Sequence, residues 1–362
     1  MPDQAVLNQA ALVLAAVAAG QRADLALHAY LAGRRRGSWR ERREIAGAVF
    51  AYYRWMPWLD RNVPAQRQLA QALALRERFA QDGDSVKAET LAARAVPAWL
   101  RGEMDLPPEF LRQLQRDPAL WLRARPGARA ALATSLGDCE ASDRAPDALR
   151  YRGDHDLFQT ADFREGAFEI QDLASQLVGL ACAPRPGETW WDACAGEGGK
   201  MLHLADLMGN KGVVWATDRS AARLETLRRR AARAKLFNFR VAAWDGGARV
   251  PVKARFDGIL VDAPCSGVGT WQRNPHARWT TTEQDVRELA AVQSALLENV
   301  SRSLKPGGRL VYAVCTLTRS ETAAVVGAFT AAHPELEPVS QELLWPQDLQ
   351  ANGMFIAVWK AR

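Results

Sequence analysis

The sequence has few cysteines, few lysines and no long apolar run. Its five cysteines are odd in number, lie far apart and form no C-x-x-C pair, which argues against a disulfide framework or a zinc site and favours a reduced protein. The five histidines are scattered, so we expect no metal. The apolar segment 10–20 is too short to cross a bilayer, and the residues before it lack the positive charge of a signal peptide. We therefore expect a cytoplasmic protein with no membrane partner.

Arginine carries most of the positive charge, since lysine occupies only seven positions while Lys and Arg together total 47. The formal net charge is +6. Arginine makes bidentate contacts with phosphate and stacks on bases, so a polyanionic partner such as RNA is one interpretation. The other is a base-composition bias towards arginine codons, and charge alone does not separate the two.

The pattern of apolar residues divides the 362 residues into three predicted parts. Residues 1–115 have helical periodicity and are predicted to form a small all-α domain. Residues 116–165 mix short strand-like runs with Pro and Gly turns, which favours a small α/β linker subdomain. In residues 166–362 apolar runs alternate with helices, one of them predicted over 283–304. Such alternation is typical of a doubly wound, mostly parallel α/β sheet, which binds ligands at the carboxyl ends of its strands.

A basic cluster lies between two predicted helices of the first part, where several arginines surround Trp39. The arginines of this cluster are Arg34, Arg35, Arg36, Arg40, Arg42 and Arg43. A basic cluster with an aromatic ring can grip RNA, but such runs are also common on solvated helix surfaces. Both interpretations stay open at this point.

The segment "WWDACAGEGGK" (190–200) predicts a strand, a glycine turn and the start of a helix. Gly196, Gly198 and Gly199 would let a ligand approach the backbone closely, and the helix N-terminus supplies free N–H donors. The G-x-G-G spacing is not the dinucleotide fingerprint, which disfavours a nicotinamide or flavin cofactor. It is not a Walker loop either.

Acidic residues follow the predicted strands of this domain. Asp192 ends the strand before the glycine turn, Asp218 ends the next strand and Asp245 ends the one after it. A carboxylate about 20 residues beyond the glycines can accept both ribose hydroxyls of an adenosine ligand. Turn and acids in this order predict a nucleoside-containing cofactor with no large phosphate requirement, which S-adenosyl-L-methionine satisfies. The alternative is that the acids only cap helices.

Two cysteines follow predicted strand ends, Cys265 in "VDAPCSG" and Cys315 in "VYAVCTL". Methylation of pyrimidine C5 needs a thiolate that adds to C6 and an acid or hydrogen-bond donor at N3, because C5 alone is a poor nucleophile. The two thiols and Asp262 match this requirement, and spacing alone does not choose which thiol is the nucleophile. Cys139 and Cys182 are expected only to pack.

Four segments together resemble the successive motifs of the RsmB/NOP (NOL1/NOP2/Sun) family of RNA 5-cytosine methyltransferases. These are "FEIQDLASQLV", "DACAGEGGK", "FDGILVDAPCSGVGTWQRNPHARW" and "RLVYAVCTL". The resemblance covers about 150–362, and the N-terminal helices are similar to the NusB-like RNA-binding domain of the bacterial RsmB branch. It implies a Rossmann-like class I methyltransferase domain, S-adenosyl-L-methionine as cofactor and structured RNA, above all small-subunit ribosomal RNA, as substrate.

The resemblance also implies roles for individual residues. Cys315 would be the nucleophile, Cys265 would help to release the product, and Asp262 would contact the cytosine and take part in acid-base steps. Lys200 is also expected among the catalytic residues. The residues expected to bind the cofactor are Cys194, Ala195, Gly196, Glu197, Gly198, Gly199, Lys200, Asp218, Arg223, Asp245 and Asp262.

Two residues of the predicted site depart from the family pattern. Glu197 adds a charge where Ala-Pro is common, and Val314 replaces a threonine that commonly precedes the nucleophile. Substrate selection is expected to depend on the N-terminal half and on the loop "WQRNPHARW", and the protein is expected to be a monomer. Two alternatives stay open: a catalytically silent RNA-binding assembly factor, and a methyltransferase of tRNA, another RNA, DNA or a small molecule.

Overall fold

The computed structural model describes residues 3–33 and 38–362. These residues form two compact units. The first consists of the chain up to Pro118 together with a later segment, Thr270–Thr282. The other unit consists of Ala119–Gly269 and Glu283–Arg362. Within the described ranges, no helix is both long enough and apolar enough to span a bilayer.

Helices form most of the first unit and accompany both sheets of the second. In chain order the described α-helices are α1 (Gln4–Ala18), α2 (Ala23–Ala32), α3 (Trp39–Trp55), α4 (Ala65–Gln81), α5 (Ala88–Arg94), α6 (Pro108–Gln115), α7 (Arg129–Leu136), α8 (Ala161–Arg164), α9 (Leu173–Cys182), α10 (Gly199–Leu207), α11 (Ala221–Arg233), α12 (Ala277–Thr280), α13 (Glu283–Ser301), α14 (Ala323–Ala332) and α15 (Pro346–Leu349).

The strands belong to the second unit and form two sheets. In chain order they are β1 (Leu120–Ala124), β2 (Cys139–Ala141), β3 (Ala148–Tyr151), β4 (Phe168–Ile170), β5 (Thr189–Asp192), β6 (Val213–Asp218), β7 (Phe239–Ala243), β8 (Phe256–Asp262), β9 (Leu304–Val314), β10 (Leu336–Leu344) and β11 (Met354–Ala361).

The first unit is helical because its apolar residues recur at helical spacing and its helices have suitable caps. The Asp3 carboxylate accepts the Ala5 N–H at the start of α1, and the Ser38 hydroxyl accepts the Glu41 N–H at the start of α3. Side chains such as Leu14 from α1 pack with α2 and α3 in one apolar cluster. The prediction of an all-α N-terminal region is therefore confirmed.

A segment from the middle of the chain, Thr270–Thr282, packs into this helical unit. The Trp271 and Arg278 side chains are fully buried. The Arg278 guanidinium donates to the carbonyl oxygens of Ala95 and Leu114, at 3.0 and 2.8 Å. Buried guanidinium groups need such acceptors, so the segment is fixed by specific partners as well as by apolar contact.

The large sheet has the strand order β10-β11-β9-β8-β5-β6-β7. Strands β7, β6, β5, β8 and β9 are mutually parallel, and β11 and β10 join antiparallel at one edge. Successive residues alternate between two apolar layers: Trp190 packs with α10 and α11, whereas Trp191 packs against the layer that contains α13. The predicted doubly wound, mostly parallel α/β fold is confirmed. Strand order reverses beside β5, where such sheets bind ligands.

A smaller antiparallel sheet with the order β2-β3-β1-β4 lies in the same unit. Its last strand, β4, pairs with β1 through the register Leu122 to Ile170. The division of the chain at 115 and 165 stays a prediction. The helix expected over 283–304 ends earlier, at Ser301, because Leu304 opens β9 opposite Phe256.

Candidate active site

The glycine turn after β5 forms a tight bend that leads into α10. Gly196 and Gly198 have positive φ angles of 54° and 88°, which side-chain-bearing residues rarely adopt. A Cβ atom on Gly198 would lie 2.7 Å from Cγ of Leu227, so only glycine fits there. The turn is held by its own backbone, since the Gly198 N–H donates to the Ala195 carbonyl at 2.8 Å.

Two of the three predicted acids lie at strand ends, and the third lies just beyond one. Asp218 ends β6 and accepts the N–H groups of Gly196 (3.0 Å) and Ser220 (2.8 Å), so it fixes the glycine turn. Asp245 was expected to end β7, but that strand stops at Ala243. It lies in the following loop and accepts the Gly247 N–H at 2.9 Å.

A cavity of about 690 Å³ opens at the carboxyl ends of β5, β6, β7 and β8. This volume suits a small-molecule ligand. The predicted cofactor residues that line it are Cys194, Ala195, Gly196, Glu197, Gly199, Lys200, Asp218, Arg223, Asp245 and Asp262. Gly198 is not among the lining residues; it shapes the turn from behind. Ten of the eleven residues expected to bind the cofactor therefore line one cavity.

Sequence reasoning missed the apolar part of this cavity. Trp244, Pro264 and Leu296 line it, and Trp244 is held by an indole N–H bond to the Gly247 carbonyl at 3.1 Å. Carboxylates can accept hydrogen bonds from ribose hydroxyl groups, and apolar walls can pack against a flat ring. A cavity with both suits an adenosine ligand. The aromatic residue directly before Asp245 was the available indication, and Leu296 could not be placed because it comes from α13.

Lys200 and Asp262 form an ion pair at the floor of the cavity, with Nζ and Oδ2 2.7 Å apart. Burial alone would lower the pKa of Lys200, but the Asp262 carboxylate outweighs it and raises that pKa, so the ammonium is retained. Asp192 is fully buried nearby. Its burial, together with the negative charge of Asp262, raises the pKa of Asp192 to about 8. Asp192 therefore keeps its proton to higher pH than an ordinary aspartate does.

The two cysteines that follow β8 and β9 are neighbours in space. Their Sγ atoms are 3.3 Å apart. Adjacent parallel strands bring them together, since Asp262 pairs with Ala313 in the sheet and each cysteine lies two or three residues further on. Hydrogen bonding to Cys315 and burial raise the pKa of Cys265 well above its ordinary value, so this group is a thiol. Cys315 contributes to the electrostatic field at Lys200.

The remaining cysteines lie outside this arrangement or serve only as its wall. Cys182 is fully buried in α9, and burial raises its pKa. Cys139 is half-buried in the small sheet, where burial also raises its pKa. Cys194 lines the cavity, and its pKa is raised by burial and by Asp192. Among the described residues, no group of histidines, cysteines and acids could hold a metal ion.

The structure describes only part of the two segments considered for substrate contact, the basic cluster around Trp39 and the loop "WQRNPHARW". Arg34, Arg35 and Arg36 of the basic cluster lie outside the described residues. Trp39 (39% exposed), Arg40 and Arg43 lie exposed near the start of α3. In the loop "WQRNPHARW", Arg273 is exposed, whereas Arg278 is buried and bonded to carbonyl groups. Only the first of these two arginines can therefore reach a substrate.

The strand order, the glycine turn and the carboxylate-lined cavity define a Rossmann-like domain of the methyltransferase type. The family model described as 16S rRNA methyltransferase RsmB/F matches residues 179–360, half of the chain, and the chain belongs to this family. The resemblance stated from the motifs is thereby confirmed.

Known proteins agree with this assignment. The chain is 36% identical over 251 residues to the probable ribosomal RNA small subunit methyltransferase B of Synechocystis, with 66% of this chain and 55% of the relative covered. It is 33% identical over 302 residues to the ribosomal RNA small subunit methyltransferase B of Shewanella oneidensis, with 75% and 68% covered. The chain thus spans about half to two thirds of the length of these relatives.

A solved structure shares the fold over nearly the whole chain. The crystal structure of PH0851 covers 99% of this chain and 98% of its own, with a TM-score of 0.82 and 21% sequence identity. At that identity the likeness concerns the fold alone. It includes the helical N-terminal region as well as the methyltransferase domain.

Proposed function

We propose that this protein is an S-adenosyl-L-methionine-dependent RNA (cytosine-5)-methyltransferase that acts on small-subunit ribosomal RNA through a covalent cysteine adduct. The observation that carries the proposal is the pair of sulfur atoms, Cys265 and Cys315, 3.3 Å apart at adjacent strand ends. A carboxylate, Asp262, ends one of the same strands and lines the cavity. Family membership and the names of the relatives support ribosomal RNA as the substrate.

The residues of the cavity fit the cofactor. Asp218 offers the carboxylate for ribose hydroxyls, and Trp244, Pro264 and Leu296 offer apolar walls for adenine. When bound, S-adenosyl-L-methionine supplies an electrophilic methyl group to C5 of the activated cytosine. The phosphate-free character of this ligand agrees with a cavity that three aspartates line. Glu197 adds a further exposed carboxylate at its rim.

In the proposed reaction Cys315 is the nucleophile, and its thiolate gives an electron pair to C6 of the cytosine. The ammonium of Lys200, 2.7 Å from Asp262, keeps a proton beside that carboxylate. Lys200 can pass this proton to Asp262, and the protonated carboxyl then donates the hydrogen bond that charge developing at N3 requires. The cytosine must be unpaired or flipped out to reach these groups.

Product release reverses the addition. A base removes the C5 proton, the electrons of the C5–H bond restore the C5–C6 double bond, and the C6–S bond breaks with its pair returning to Cys315. The thiol of Cys265 is placed to donate a hydrogen bond to the departing sulfur, because the two atoms lie 3.3 Å apart. Its raised pKa keeps that proton on Cys265.

Two variants test this division of labour. Cys315→Ala removes the nucleophile and should reduce methyl transfer to ribosomal RNA by about 10⁴-fold or more. Cys265→Ala should still transfer a methyl group once but stall as a covalent RNA–protein adduct. Transfer from labelled cofactor to ribosomal RNA measures the first effect and denaturing gels the second. Cys139→Ala, a half-buried thiol of the small sheet, is the matched control and should retain activity.

The result also separates the alternatives. Full activity of Cys315→Ala would contradict the assigned roles. If the unaltered protein transferred no methyl group to any RNA, an RNA-binding assembly factor would be favoured. If tRNA were labelled and ribosomal RNA were not, the substrate would be tRNA. A cytoplasmic location follows from a ribosomal substrate and stays a prediction, as does the monomeric state.

A further inference from the structure

A buried carboxylate, Glu321, lies beneath the two thiols and plays no part in the reaction described above. Its side chain is fully buried. It ends a short 3₁₀ helix, Arg319–Glu321, that follows β9. It does not line the cofactor cavity. Burial of a charged group costs free energy unless hydrogen bonds compensate for the lost water, so Glu321 must have partners inside the protein.

Hydrogen-bond donors surround both oxygens of this carboxylate. Oε1 accepts the backbone N–H of Ser266 at 2.8 Å and the Nε2 group of Gln293 at 3.0 Å. Oε2 faces three hydroxyl groups, those of Ser266, Thr316 (3.1 Å) and Thr318 (2.8 Å). Among the ion pairs of residues 3–33 and 38–362, none involves Glu321.

The donors come from the two loops that carry the thiols. Ser266 directly follows Cys265, and Thr316 directly follows Cys315. The hydroxyl groups of Ser266 and Thr316 are themselves 2.9 Å apart. One carboxylate therefore bonds to the residue after each cysteine.

A second layer fixes the loop on the other side of Cys265. The Gln293 amide, from α13, donates to the Pro264 carbonyl at 2.9 Å as well as to Glu321. The Tyr312 hydroxyl lies 2.8 Å from Oε1 of Gln293 and 2.7 Å from the backbone carbonyl of Glu321. A fully bonded buried network of this kind is rigid, which is what precise placement of a reacting group requires.

We propose that Glu321 is a positioning residue that holds Cys265 against Cys315 and thereby sets the rate of product release. The proposal depends on the covalent mechanism given above. Loss of the Glu321 hydrogen bonds would let the Cys265 loop move, because Cys265 lies three residues beyond the end of β8. Cys315 directly follows β9 and should move less. A misplacement of about 1 Å costs up to about 100-fold in rate. Release should therefore suffer more than methyl transfer.

The first experiment compares Glu321→Gln with the unaltered enzyme, in full-length protein with S-adenosyl-L-methionine and ribosomal RNA. Glutamine has the same shape but replaces one acceptor oxygen by an NH₂ donor. Either the pair of donors at Oε1 (the Ser266 N–H and Gln293) or the three hydroxyl groups at Oε2 therefore lose their acceptor. Single-turnover methyl transfer should stay within about threefold, whereas steady-state turnover should fall about tenfold or more with covalent adduct accumulating. Cofactor affinity should not change. Glu342→Gln, an exposed glutamate of β10, is the matched control and should behave as unaltered.

The second experiment combines Glu321→Gln with Cys265→Ala. If Glu321 acts through Cys265, the double variant should release product no more slowly than Cys265→Ala alone. Additive losses, equal slowing of single and multiple turnovers, or unchanged turnover without adduct would each overturn the proposal. Absence of adduct in Cys265→Ala itself would instead contradict the covalent mechanism, so the two failures are distinguishable.

Milder variants keep the proposal testable should Glu321→Gln fail to fold. Ser266→Ala removes the hydroxyl on the Cys265 loop but keeps its backbone N–H donor. Thr318→Val removes a hydroxyl that adjoins neither cysteine, at nearly constant volume. Ser266→Ala should accumulate adduct and Thr318→Val should accumulate less. The reverse order would contradict a role in positioning Cys265.

Discussion

The carboxyl edge of the large sheet has two halves that are built differently. Beyond the ends of β5, β6 and β7 three acids, Asp218, Asp245 and Glu197, line an open cavity, and Asp245 and Glu197 are exposed to solvent. At the ends of β8 and β9 the polar groups face one another, and Glu321 and Thr316 are fully buried. In the first half polar groups remain available to bind a ligand, whereas in the second half the polar groups form hydrogen bonds with one another.

The difference matches what each half must do in the proposed reaction. A cofactor brings its own donors and acceptors, so its site needs groups that are available to them. A pair of thiols brings little hydrogen bonding of its own, so its geometry must come from the surrounding residues. Asp262 lies at the border, since it lines the cavity and ends the strand that leads to Cys265.

The largest effect outside the cysteines is expected at this border. Asp262→Asn removes the charge that holds Lys200 and the group assigned to cytosine N3, so turnover should fall by about 100-fold or more. Cofactor affinity should fall much less. Single-turnover rates and titration with cofactor measure the two quantities.

Asp257→Asn is the matched control, because this aspartate lies near the other end of β8 and pairs with Lys305 at 2.8 Å. It should keep near-normal turnover. Equal losses in both variants would mean that the strand, and not the border position, explains the effect.

A substitution in the glycine turn should disrupt the half of the sheet edge that forms the cavity. Gly198→Ala places a Cβ atom 2.7 Å from Cγ of Leu227 at a φ of +88°. The positive φ and the clash together should destabilise the protein by about 2–4 kcal/mol and weaken cofactor binding. Gly187→Ala has a φ of +93° with nothing within 4 Å of the new Cβ. It should lose only about 1 kcal/mol, as thermal or denaturant unfolding would measure. Equal losses would remove the steric argument.

A pH dependence of stability is expected from Asp192. Its pKa is raised from 3.8 unfolded to about 8 in the folded protein, so the folded state holds the proton more tightly. Its contribution to stability is therefore complete below about pH 4 and is lost as pH rises towards 8. Relative to Asp192→Asn, the unaltered protein should lose at most about 1.4 kcal/mol per pH unit in that range. Parallel stability curves for the two proteins, without cofactor, would contradict the raised pKa.

The cavity half of the site was largely predictable from sequence. The glycine turn and Asp218 are local features whose spacing is set by one strand-turn-helix unit. The two cysteines could be brought together because parallel strands end at one edge of a sheet.

The rest depends on contacts between distant residues. Glu321 resembles an ordinary acid in a turn, and its donors come from three separate segments. Thr270–Thr282 contains arginine and tryptophan in a pattern typical of a surface loop, yet Arg278 is buried because carbonyl groups of the helical unit accept its hydrogen bonds. The helix over 283–304 was predicted too long because the "KPGG" segment belongs to β9.

In the proposed mechanism Cys315 forms the bond to the RNA and Cys265 helps to break it. The most direct measurement is to incubate Cys265→Ala with S-adenosyl-L-methionine and ribosomal RNA, isolate the covalent adduct and identify the modified cysteine by mass spectrometry. We expect a cytosine attached to Cys315 and no adduct in Cys315→Ala. An adduct on Cys265 in Cys315→Ala, with none in Cys265→Ala, would contradict it.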